Sequence, residues 1–76
     1  MEKKAVLAVN FGKNLKEKRQ EKGFTQERLA ELADVDRTYI YRLENSKRFP
    51  SLAVLLQLAN AFGLTPGQFL DKMLKK

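Results

Sequence analysis

Residues 24–45 read FTQERLAELADVDRTYIYRLEN, and the spacing of their apolar side chains decides the fold. Leu29, Ala30 and Ala33 recur at helical intervals, as do Ile40 and Leu43, and nothing here alternates over the length of a strand. Thr25 and Asp36 are residue types that cap helix N-termini by accepting a backbone N–H. The stretch is therefore two short amphipathic helices, Thr25 to about Ala33 and Asp36 to about Asn45, on either side of a tight break.

Working outward, the same grammar delimits the rest. A hydrophobic staple pairs the residue before a cap with the fourth helical residue. Phe24 and Leu29 flank Thr25 in this way, Val35 and Ile40 flank Asp36, and Leu64 and Phe69 flank Thr65. A first helix is expected from the cap Asn10 to about Lys22, with Gly23 as the left-handed residue after its end and Phe11, Leu15 and part of Arg19 inward. Gly12 stands one turn in, where a missing side chain permits close packing. A fourth helix follows Ser51 and ends near Phe62, with Gly63 beyond it. A fifth is capped by Thr65, begins with Pro66 and carries Gln68 where a capping box needs it. The expected fold class is all-α, a five-helix bundle. One domain spans residues 10–76, behind an extension 1–9 for which disorder, an added strand or helix, or a minor-groove arm all stay open.

Composition narrows the chemistry. Seventy-six residues make one domain near the lower limit for a core without staples. There is no cysteine and no histidine, so disulfides, thiolate or imidazole metal sites and imidazole general bases are excluded. No cofactor is expected. Glu27 and Glu31, four apart on the second helix, belong to a solvated face rather than an acid–base pair, and an enzyme is the weakest expectation. Ala5 to Val9 is too short for a signal core or a membrane span, and cytoplasmic residence is expected. Fifteen Lys and Arg against nine Asp and Glu leave a net charge of +6, which favours a polyanionic partner.

Where the charge lies is more telling than its sum. Side chains on a helix step by about 100° per residue. On the third helix Tyr39, Ile40, Leu43 and Glu44 share one side; Thr38, Tyr41, Arg42 and Asn45 share the other, with Arg37 at the N-terminal edge. Ile40 and Leu43 are its only aliphatic residues and fix the inward side. The outward side then offers what base edges require: arginine for guanine O6 and N7, threonine for a thymine methyl, asparagine for adenine. A B-DNA major groove about 12 Å wide admits one such helix. Arg37, Thr38, Tyr41 and Arg42 are the candidate base contacts. Phosphate contacts are expected from Gln26, first residue of the second helix, from Asn45, and from the loop Ser46–Lys47–Arg48. Glu44, turned inward, needs a partner, and Arg19 is the candidate for a partly buried ion pair.

With those residues placed, the chain resembles the Xre/Cro-like helix-turn-helix family, which includes small phage repressors and restriction–modification controller proteins. The resemblance runs from about Asn10 to Leu70 and is carried by GFTQERLAELADV (23–35), DRTYIYRLEN (36–45) and PSLAVLLQLANAFGLTPGQFL (50–70). It implies a lambda-repressor-like domain. It also implies that Gln26 contacts phosphate and braces the first residue of the recognition helix, that Arg37, Thr38 and Arg42 read bases, that Tyr39 makes a backbone or shape-reading contact, and that Arg19 pairs with Glu44. Ser46 departs from the common glycine, so Asn45 or Ser46 must take the left-handed turn. Lys18 departs from a usually aliphatic site, which thins the core slightly.

From Phe49 to Leu70 there is no charged residue, and the fourth helix is apolar on more than one face. A central position in the bundle accounts for part of this. A homodimer contact through the fourth and fifth helices accounts for the rest, and is the expectation preferred here. The function expected is sequence-specific binding of double-stranded DNA by a dimeric transcriptional regulator, with no membrane or small-molecule partner. The alternative is a protein-interaction module of the same fold, such as the partner-binding subunit of an antitoxin. An RNA-associated domain is disfavoured, because a helix cannot easily enter the narrow groove of A-form RNA.

Overall fold

Short polar caps and left-handed turns break this chain into helices, as the computed structural model, which describes residues 2–75, shows. The elements are α1 (Glu2–Glu21), α2 (Gln26–Ala33), α3 (Arg37–Glu44), α4 (Leu52–Ala61) and α5 (Pro66–Met73). Each of the last four is capped by a side-chain oxygen that accepts an N–H of the first turn. Thr25 accepts from Arg28, Asp36 from Thr38, Ser51 from Val54 and Thr65 from Gln68. At α5 the Gln68 side chain returns the bond to the Thr65 N–H at 3.0 Å, completing the capping box.

The first four helices end alike. At the end of α1, Phe24 N–H reaches back to the Arg19 carbonyl and Gly23 N–H to that of Gln20. The same pair of bonds closes α2 through Val35 and Asp34, α3 through Lys47 and Ser46, and α4 through Leu64 and Gly63. Each motif needs one residue at positive φ: Gly23 and Gly63 in two of them, Asp34 (φ 57°) and Ser46 (φ 61°) in the others. Phe24, Val35 and Leu64 follow these turns directly, precede the next cap, and pack on the core. One apolar side chain thus seals the end of one helix and the start of the next.

One core joins all five helices. Phe11, Leu15, Leu29, Ile40, Leu43, Leu58, Phe69 and Met73 are fully buried within it. The protein's five phenylalanines form a chain of ring contacts, Phe24–Phe62–Phe69–Phe11–Phe49, with centroids 5.6–6.1 Å apart. α3 is held chiefly by α1 and α2, and α4 and α5 close the far side.

Two expectations change. The first helix begins at Glu2, not at an Asn10 cap, and of the forms left open for the N-terminal stretch residues 2–9 take the helical one, continuous with α1. Nothing from Ala5 to Val9 breaks a helix, and Asn10 lies inside the helix, half-buried. The fourth helix is also not central: Leu58 and Ala59 are buried, but Leu52 is 71% and Leu56 45% exposed.

Candidate nucleic-acid interface

α3 is eight residues long, and its orientation follows from three buried side chains, Ile40, Leu43 and Glu44. Backbone packing fixes its far end. A Cβ on Gly12 of α1 would stand 2.5 Å from the Leu43 carbonyl oxygen and 2.8 Å from that of Glu44. Only glycine allows α1 to come this close.

Glu44 brings three helices together. Its carboxylate accepts from Arg19 Nε at 2.6 Å and Nη2 at 3.1 Å, and from Gln26 Nε2 at 3.1 Å. Arg19 Nη1 donates to the Phe24 carbonyl at 2.8 Å. The Glu44 side chain is 1% exposed and that of Arg19 11%, so a buried charge is matched on every side. Gln26, half-buried at the start of α2, thus has its amide N–H turned toward α3.

The opposite side of α3 is open. Arg37, Thr38, Tyr41 and Arg42 are all exposed, Tyr41 at 54%. Arg37, Thr38 and Tyr41 line one shallow depression together with Gln26. Among the described residues Arg37, Arg42, Lys47 and Arg48 make no ion pair, whereas Glu44, the one acid between them, is neutralised by Arg19. The outward face is therefore positively charged without internal compensation.

The remaining candidates divide. Ser46 takes the left-handed turn and carries the chain into the Lys47–Arg48 loop. Lys47 is exposed and free. Arg48 lies over the half-buried Tyr39 ring, its guanidinium carbon 5.4 Å from the centroid, so these two residues form one unit. Asn45 is exposed, but its side chain donates to the Tyr41 carbonyl at 2.8 Å and closes its own helix. Sequence patterning did not reveal that tie, the Tyr39–Arg48 stack or the Gln26–Glu44 bond. For the last a signal existed, since a buried carboxylate has more lone pairs than one arginine fills. Glu27 and Glu31 are exposed, and Glu31 pairs with Arg28 at 3.4 Å.

Residues 15–69 match the helix-turn-helix family model (HTH_3), which spans both helices of this arrangement and most of the core around it. The chain belongs to the helix-turn-helix family. Its relatives include HTH-type transcriptional regulators, among them YqaF of Bacillus subtilis, 43% identical over 49 residues, 64% of this chain and 64% of that one. It is 35% identical over 71 residues to the control protein C.MunI of Mycoplasma sp, covering 92% of this chain and 96% of that one. The crystal structure of the restriction–modification controller C.AhdI from Aeromonas hydrophila superposes with a TM-score of 0.77 at 40% identity, over 82% of this chain and 94% of the other. The wild-type controller C.Esp1396I gives 0.78 at 30% identity, over 88% and 87%. The two controllers thus share this chain's fold over most of their length. Among the described residues no helix is long and apolar enough to cross a membrane.

Proposed function

We propose that this helix-turn-helix protein is a dimeric transcriptional regulator of the restriction–modification controller kind, binding double-stranded DNA with α3 in the major groove of palindromic half-sites. Arg37, Thr38, Tyr41 and Arg42 contact base edges. Gln26, Tyr39, Asn45, Ser46, Lys47 and Arg48 contact the sugar-phosphate backbone, and Arg19–Glu44 holds α3 at the required angle. The observation that carries this is the two-sided character of α3: Ile40, Leu43 and Glu44 are buried while Arg37, Thr38, Tyr41 and Arg42 are all exposed and uncompensated. Likeness over nearly the whole length of two controllers supports the narrower assignment.

Dimerisation through α4 and α5 is part of the proposal. Leu52 and Leu56 lie one turn apart on the uncovered side of α4; half-buried Leu70 on α5 and its C-cap Leu74, 36% exposed, lie one turn apart as well. Exposed Leu52, Leu56 and Leu74, with half-buried Leu70, favour an apolar partner surface, and a two-fold contact supplies one. A single α3 makes few base contacts, whereas two copies read half-sites about 34 Å apart.

Selection from a pool of random duplexes with the purified protein tests all of this together. Enrichment of a palindrome whose half-sites recur at one helical turn is expected. Recovery of no preferred sequence contradicts the proposal.

A further inference from the structure

The C-terminal turn of α5 is held from a distance. The last carbonyls of an α-helix have no donor within the helix and need one from elsewhere. Asn14, in the middle of α1, provides it: Nδ2 donates to the Met73 carbonyl at 2.7 Å and to the Lys75 carbonyl at 2.7 Å. Both amide protons are therefore engaged by a segment some sixty residues away, at separations of 59 and 61. Met73 points into the core and is buried. Leu74, the next residue, points outward and lines a shallow depression with Gly67, Leu70 and Asp71. The clamp and the exposed leucine belong to the same turn.

Resting on the dimer proposed above, we infer that Asn14 is a positioning residue for the subunit contact. By tying down the end of α5 it holds Leu74 in the apolar surface on which a second copy docks. Helix ends without partners fray, and an unclamped turn would carry Leu74 away from its place. Asn14 takes no part in holding α3, which depends on Gly12 and Arg19. Its loss therefore separates dimerisation from DNA reading.

Sedimentation equilibrium on Asn14→Ala, Asn14→Asp, Leu74→Ala and the Asn14→Ala/Leu74→Ala double variant tests this, alongside binding to a duplex bearing half of the selected palindrome. Asn14→Asp keeps the shape but has no N–H to give, so it checks the outcome should Asn14→Ala fold poorly. Both Asn14 variants and Leu74→Ala are expected to raise the dimer Kd about tenfold. The double variant is expected to be no weaker than the weaker single, and half-site binding to stay within about twofold of wild type. An unchanged Kd in the Asn14 variants, losses that add in the double variant, or half-site affinity falling in step with Kd would each overturn the inference. A wild-type chain that stays monomeric at high concentration overturns the dimer itself, and this inference with it. A wild-type dimer indifferent to Asn14 overturns this inference alone.

Discussion

Arg19 and Glu44, 25 residues apart, meet through two hydrogen bonds of 2.6 and 3.1 Å, so the last turn of α3 hangs from the last turn of α1. Their burial sets the consequence of breaking the pair. Arg19→Ala leaves a carboxylate in the core without its cation, which costs about 3–5 kcal/mol. Replacing both with apolar residues, Arg19→Met with Glu44→Leu, is expected to recover most of that loss. Urea unfolding midpoints measure both; equal losses in the single and double variants would show that the charge is not the cause.

Gly12→Ala is expected to destabilise although alanine is the better helix former. The gain in helix propensity is about 1 kcal/mol. Against it, the new methyl meets two backbone carbonyl oxygens that cannot rotate away. Overpacking of this kind costs about 1–3 kcal/mol, so clash outweighs propensity. Thermal unfolding decides the sign, and a rise in Tm would refute the close approach of α1 to α3.

At the left-handed turn after α3 the forecast is the opposite. Ser46 sits at φ 61°, where a Cβ is disfavoured by about 1–2 kcal/mol, and glycine gives back only part of that through its greater freedom when unfolded. Ser46→Gly should raise stability by about 0.5–1 kcal/mol. Gly63→Ala, at φ 70° in open space, should lower it by a similar amount, from the backbone alone.

Much of this architecture was legible because its signals are local. Caps at Thr25, Asp36, Ser51 and Thr65, staples at Phe24, Val35 and Leu64, and the stop residues Gly23 and Gly63 all act within a few positions of the residue that carries them. Ile40 and Leu43 likewise fix which side of α3 faces out, since an eight-residue helix with two aliphatics has one inward direction. α1 starts earlier than a cap at Asn10 implies because a cap residue must itself be extended, and the run Ala5–Val9 carries Asn10 as part of the helix. Asp34 takes its left-handed turn through local bonds, at a residue type that does not announce it; Asn14 on the end of α5 and Arg48 over Tyr39 depend on partners that tertiary structure supplies.

Leu52 and Leu56 test the dimer without threatening the monomer. Because Leu52 is 71% exposed, Leu52→Lys should change the stability of the isolated subunit little, by no more than about 0.5 kcal/mol. If the uncovered side of α4 is the subunit contact, the same substitution or Leu56→Glu should convert a dimer to a monomer in light scattering and weaken binding to a full palindrome far more than to half of it. A variant that remains dimeric would move the contact elsewhere.

The central claim is that the outward face of α3 reads base sequence, and the specificity ratio measures it most directly. Fluorescence anisotropy with the selected duplex and a shuffled duplex, at one fixed salt concentration, compares wild type with Arg37→Ala, Arg42→Ala and Lys47→Ala. Each arginine variant is expected to lose about 1–3 kcal/mol on the selected duplex only, collapsing the ratio, while Lys47→Ala weakens both duplexes alike and flattens the salt dependence. Arginine variants that keep the wild-type ratio would contradict the account.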